Sequence, residues 1–244
     1  MQLTLKVGRL DYQVELKKPI DISIPVSFGK KQLAAFGGTP ARKEVYKDGS
    51  FTGDVRQGGS CNCEIYSFSP HLNGTHTECV GHLTKKRISI HEVIGESLIP
   101  ATLATVTPQK DSLITRDMLL WHLSGNTGFL DALVVRTMPN EENKTVRDYG
   151  KMAPPYFTTE AMRYIAVRGV RHLLVDFPSV DRVDDKKLTN HRIFWKQNPL
   201  KKTITELVYV PQGVRDGRYL LNLQVAAFEG DAAPSRPVLY RVLR

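Results

Sequence analysis

TTEAMRYIAVRGVRHLLV, residues 158–175, decides the class of fold. Thr158 is a good helix cap, and Ala161, Met162, Ile165 and Ala166 follow at the spacing of one helical face. Gly169 stops the helix, and VRHLLV (170–175) is a short, largely apolar strand. Upstream, ALVVRT (132–137) is a second apolar strand. Strand, helix and strand in that order make a βαβ unit, with parallel strands and a right-handed crossover.

Working outward, Leu3, Leu5 and Val7, then Leu10, Tyr12, Val14 and Leu16, alternate with polar residues on either side of Gly8-Arg9. That pattern predicts a hairpin with one buried face. DISIPV (21–26) is a short extended run broken by Pro25. SCNCEIYSF (60–68) alternates again, which puts Cys61 and Cys63 on one face of a strand as buried thiols. Thr115 caps a helix through Met118, Leu119 and Leu123 that ends near Gly125, and strands are expected over 219–228 and 238–243. The chain is therefore α/β, a mixed, strand-rich sheet covered by a few helices. No repeat or domain boundary appears, so residues 1–244 are expected to form a single domain.

Bulk properties narrow the function. With 41% hydrophobic and 24% charged residues, the composition is that of a globular protein. No apolar run reaches the roughly 20 residues of a membrane span, and MQLTLKVGRLDY at the start has no signal-peptide core. A cytoplasmic protein without membrane contact is expected. The net charge of +9 raises the question of nucleic acid. Its lysines and arginines are scattered in pairs such as Lys17-Lys18 and Lys201-Lys202, without a nucleic-acid-binding signature, so a solvated surface is the expectation. Cys61, Cys63 and Cys79 are too few and too oddly spaced for a disulfide framework.

The chemistry concentrates in HLNGTHTECVGH, residues 71–82, which holds three of the seven histidines. His76 and Glu78 are two apart, so in an extended segment their side chains point the same way. Asn73-Gly74 permits a tight turn that brings His71 back beside them. Imidazole with carboxylate suits zinc, manganese or ferrous iron, and a carboxylate can bridge two such ions. A histidine-rich loop without a metal is the plain alternative. Cys79 could face the same site, but no base dedicated to it is visible.

The stretch resembles the HxGTHxDxPxH signature of the cyclase family of metal-dependent hydrolases, which includes bacterial kynurenine formamidases and isatin hydrolases. The resemblance continues through PIDISIPVSFGKKQLAAFGGTP (19–40), GVRHLLVDFPSVDR (169–182), LTNHRIFW (188–195) and TITELVYVP (203–211), in the family's order. It implies a swivelling β/β/α-type fold and hydrolysis of a small molecule's formamide, cyclic amide or lactone bond by a metal-activated water. It also implies one or two divalent ions, zinc or manganese, held by His71, His76, Glu78, His191 and Glu206. His82 falls on the general acid/base, and family members are commonly homodimers or homotetramers. A non-catalytic metal- or ligand-binding member of the same fold is the alternative. Asp176, Ser179 and Asp181 are read as loop structure, with Asp176 and Ser179 also able to line the site, and His91, His122 and His172 as structural.

Three departures stand out. The family's leading histidine is four residues before that of GTH, where this chain has Leu72; His71 is five before and is expected to reach the metal through a reshaped turn. Glu78 stands where Asp is usual, which lengthens the ligand by a methylene. The Trp that packs on substrate aligns with Ala35, leaving Phe36 to compensate if the backbone turns there.

Overall fold

In the computed structural model, which describes residues 1–125 and 127–243, the extended segments gather into one mixed sheet of 11 strands. Its centre is parallel: Leu98–Val106, Ala132–Thr137, His172–Val175 and Thr203–Glu206 lie side by side. All six residues of Ala132–Thr137 are buried, as expected where helices and further strands cover both faces. The period-two rule divides them. Leu133 and Val135 pack with Leu119, Leu123, Ala161, Met162 and Ile165 of the two longer helices, whereas Ala132 and Val134 pack on the opposite side with Ile99, Tyr219 and Leu221.

The βαβ unit forms as expected. Thr158 Oγ1 accepts from Ala161 N at 3.1 Å, the helix runs Thr159–Val167, and Gly169 takes the left-handed conformation (φ +82°) that ends it. The second helix, Arg116–Ser124, buries Leu119 and Leu123. At the other end of the sheet Gln2–Val7 pairs with Leu10–Glu15, Leu5 opposite Tyr12, and Gly8 supplies the turn. This mixed sheet is the α/β fold that the resemblance implies.

Three differences have physical reasons. The nine-residue central strand Leu98–Val106 was not assigned from sequence: buried almost throughout, it has no alternation, and Pro100 discourages a strand reading. The sequence also placed Cys61 and Cys63 on a buried strand face. In fact the strand is only Glu64–Ser67, paired with Arg42–Val45 in a separate two-stranded arm, and both thiols are exposed. An arm with no layer packed over it cannot bury an alternating face. Finally, Tyr219–Phe228 ends early as a strand, at Asn222, and the residues beyond it form a loop.

What positions the site is an antiparallel annex to the parallel centre. His76–Glu78 lies between Thr203–Glu206 and Ala232–Pro234, with His76 opposite Glu206 and Glu78 opposite Ile204. Residues 76, 78, 204 and 206 therefore share one face of the sheet. Among the described residues no helix is long and apolar enough to cross a membrane.

Candidate metal centre

Gly74 and Thr75 explain the GTH triplet. A Cβ on Gly74 would stand 2.9 Å from the carbonyl oxygen of Ile24, so only glycine lets the two backbones come this close. Thr75 then fastens the contact: its N–H donates to Ile24 O at 2.9 Å, and its hydroxyl accepts from Ile24 N at 2.7 Å and donates to Leu207 O. His76 is left pointing into the protein, wholly buried.

His76 Nδ1 is 3.1 Å from Gly74 O, which can only accept, so Nδ1 carries the hydrogen. In the neutral ring Nε2 then presents a lone pair. That atom is buried, has no hydrogen-bond partner among the described residues, and faces Glu206 Oε2 at 3.5 Å. An unpartnered buried nitrogen is costly, and a carboxylate beside its lone pair makes matters worse unless a cation lies between them. The atom pair fits a metal ion.

The other side chains converge on the same place. His71, on the short helix Pro70–Asn73, brings Nδ1 to 3.3 Å from Glu78 Oε2; the Asn73 side chain closes this helix by accepting from Ser69 N at 2.8 Å. The reshaped turn does deliver His71. His191 sits in the helix Thr189–Phe194 with Nε2 3.0 Å from Glu78 Oε1 and 3.8 Å from Glu206 Oε1. Two sets, His71/His76/Glu78 and Glu78/His191/Glu206, each offer three ligand atoms within 4.8 Å of one another, and Glu78 belongs to both. Such a shared carboxylate suits two neighbouring divalent ions.

Electrostatics point the same way. Burial alone would raise the Glu78 pKa, but the charge of His191 and hydrogen bonds from His191 and His71 hold it well below the usual range. Burial disfavours charge on His191, yet the Glu78 carboxylate and the Asp181 hydrogen bond prevail and push its pKa up to about 10. His71 behaves alike: hydrogen bonds to Asp231 and Glu78 outweigh burial and carry it to about 10. A pocket that holds protons this firmly is one where a metal cation can replace them.

Two acids escaped the sequence reading. Asp181, taken there as loop structure, is in addition the acceptor that aims His191: its Oδ2 lies 2.5 Å from Nδ1, while Oδ1 accepts from Asn190 N. The need of a ligand histidine for such an acceptor was the available signal. Asp231 had none. It follows the loop after Asn222, and its Oδ2 lies 3.0 Å from His71 Nε2 and 3.1 Å from His82 Nδ1. Those two histidines and Asp231 form a third compact set beside the first two.

The remaining candidates fall elsewhere. Asp176 is buried away from the centre, accepting from Thr137 and from Lys144 Nζ at 2.7 Å, and Ser179 caps Asp181 N. Cys79 is buried against Ile90 and Ala233; its Sγ points at Ile88 O, and burial pushes the thiol up to about 11, which removes it as a nucleophile. Ala35 is wholly buried in a core with Ile24, Leu33 and Tyr149. Phe36 takes a left-handed backbone (φ +55°) and lines a cavity of about 950 Å³ with Tyr149 and Arg182, whose walls include none of the ligand set. A smaller cavity, about 500 Å³, has His71 and Asp231 in its wall.

Residues 20–182 match the model of the family described as "Putative cyclase". A kynurenine formamidase from Bacillus cytotoxicus (strain DSM 22905 / CIP 110041 / 391-98 / NVH 391-98) is 30% identical over 228 residues, covering 90% of this chain and 96% of the relative. One from Bacillus anthracis is 26% identical, covering 93% and 99%. Among solved structures, a predicted metal-dependent hydrolase from Bacillus stearothermophilus superposes with a TM-score of 0.65 at 19% identity, covering 91% of this chain and 98% of the other. Isatin hydrolase A from Labrenzia aggregata, bound to benzyl benzoate, gives 0.66 at 16% identity, covering 91% and 93%. The chain belongs to the cyclase family, as a hydrolase of that family.

Proposed function

We propose that this enzyme is a metal-dependent amidohydrolase that cleaves the amide bond of a small molecule, a formamide or a cyclic amide, with a lactone as the related ester. The observation that carries the reading is the buried, unpartnered His76 Nε2 facing Glu206 across a gap that Glu78 and His191 also border. His71, His76 and Glu78 would hold one divalent ion, and Glu78, His191 and Glu206 a second; zinc and manganese match these donors. When bound, such an ion acidifies a water at the site and withdraws charge from a carbonyl.

The chain's own residues do the rest. Asp231 engages His82 at Nδ1, which leaves Nε2 to take the proton of the attacking water and return it to the departing nitrogen. Asp181 fixes the His191 ring, so that Nε2 stays on Glu78. The likeness to the kynurenine formamidases favours an aryl formamide as substrate. Three free thiols suit a reducing compartment such as the cytoplasm.

The test is elemental analysis of purified protein, followed by turnover of formamides, cyclic amides and lactones with and without chelator. Stoichiometric divalent metal and chelator-sensitive release of formate or ring-opened acid are expected. Full turnover by metal-free protein would sink the reading, and a metal-loaded protein inert on every class would mark a non-catalytic member.

A further inference from the structure

The cavity of about 500 Å³ beside the centre has an unusual wall for a site built of charges. Its wall is formed by Pro70 and His71 on one side and by the segment Ala227–Ala232 on the other, which carries both Asp231 and Phe228, a residue 44% exposed. Phe228 is paired with Phe68, ring centroids 6.3 Å apart and tilted by 35°. Both rings belong to segments that also carry the charged groups: Phe68 is three residues before His71, and Phe228 three before Asp231.

The loop bearing Phe228 is fastened at several points. Phe228 N donates to Ala226 O at 2.8 Å, Phe228 O accepts from Ser89 Oγ at 3.1 Å, Gly230 O accepts from Ile90 N at 2.8 Å, and Asp231 O accepts from Cys79 N at 3.0 Å. A half-exposed aromatic ring on a fixed backbone, at the rim of a polar centre, presents apolar area on which a ligand's ring can lie. Phe36 lines the larger cavity instead, whose walls include none of the His/Glu set.

We propose that Phe228, backed by Phe68, is the aryl-recognising wall of the centre and determines its preference for aromatic over aliphatic amides. The inference rests on the hydrolase reading and names the part of the substrate that the ligand set does not touch: a planar ring laid on Phe228 while its amide faces His71, His82 and Asp231. Offset or edge-on aromatic contact is worth enough for about tenfold discrimination from a single ring.

The experiment compares formanilide with N-butylformamide on the metal-loaded protein, following formate release in wild type, F228A, F228Y, F68A and F36A. For F228A the ratio of kcat/KM for formanilide over N-butylformamide should fall about tenfold, chiefly through KM for formanilide; F228Y should restore it, and F68A should lower it less. An unchanged ratio in F228A, or a fall in F36A alone, overturns the proposal. If wild type turns over neither amide, linear formamides are excluded as substrates while the hydrolase reading is judged on cyclic amides and lactones, and the wall is judged by binding: saturation-transfer NMR of benzamide against butyramide. Preferential contact with benzamide that is lost in F228A supports the wall, and equal contact in the two proteins overturns it.

Discussion

The candidate site has two halves built on different principles. His76, Glu78, His191 and Glu206 have side chains no more than 5% exposed, whereas those of His71, His82 and Asp231 are 25–28% exposed. The buried half stands mainly on strands in fixed register, with Thr75 and Asp181 as fasteners. The open half stands on a four-residue helix, a 3₁₀ turn and a loop. Groups that grip an ion gain from rigidity and low dielectric, while groups that pass protons to a substrate must be reachable from solvent. Under the proposed function His82 and Asp231 stand on the open side, where a substrate can reach them, and His71 joins that side to the buried ligands through Glu78.

The most severe way to break the comparison is Glu78→Ala, which removes the carboxylate common to both ligand sets and leaves His191 without its main counter-charge. Metal should fall below stoichiometric content by elemental analysis, and turnover should drop by at least about a thousandfold, as expected when the shared ligand is lost. His82→Ala separates the halves: metal content should stay at the wild-type level while kcat falls by about 10²–10⁴. If that variant kept its metal and full turnover, the proton role of His82 would be wrong.

The halves are also linked through pH. In the metal-free protein His71 and His191 both titrate near 10, one in each half, so at neutral pH a cation must displace a proton from each. Loading should therefore release about two protons and weaken by roughly tenfold per displaced proton for each unit the pH falls below 10, read by calorimetry in buffers of different ionisation enthalpy. Release of no protons would show that His71 is not a ligand and that His191 keeps its hydrogen.

A control outside the centre is expected to be the mildest. Burial, helped by Arg171, depresses His172 to about 4 from its ordinary 6.5. The unfolded chain then takes up a proton between pH 6.5 and 4 that the folded protein refuses, so stability is complete above about 6.5 and declines as the pH falls to 4. The loss is on the order of 2–3 kcal/mol, and His172→Gln should flatten the profile in denaturant titrations at pH 7, 5.5 and 4.5 without altering metal content.

Much of this was legible beforehand, for identifiable reasons. Thr158 and Gly169 bound a helix by local chemistry, and both do so in the structure. His76 and Glu78 share a face because strand side chains alternate, whatever lies around them. Leu98–Val106 was illegible because a strand covered on both sides carries no alternation, and Cys61 and Cys63 misled because alternation shows a pattern of faces without showing whether anything covers them.

The chain by itself determined the α/β class, the helix ends and the shared face of His76 and Glu78, because these follow from local propensity and from spacing within short segments; His191 and Glu206 were reached only through the resemblance to the cyclase family. Only the tertiary structure decided that Asp231 would meet His71, 160 residues away, and His82, 149 away, and that Phe228 would stand at the rim of the cavity rather than Phe36. Those contacts depend on how the antiparallel annex aligns with the parallel centre. A register of that kind is set by packing over the whole sheet, and no segment of sequence encodes it alone.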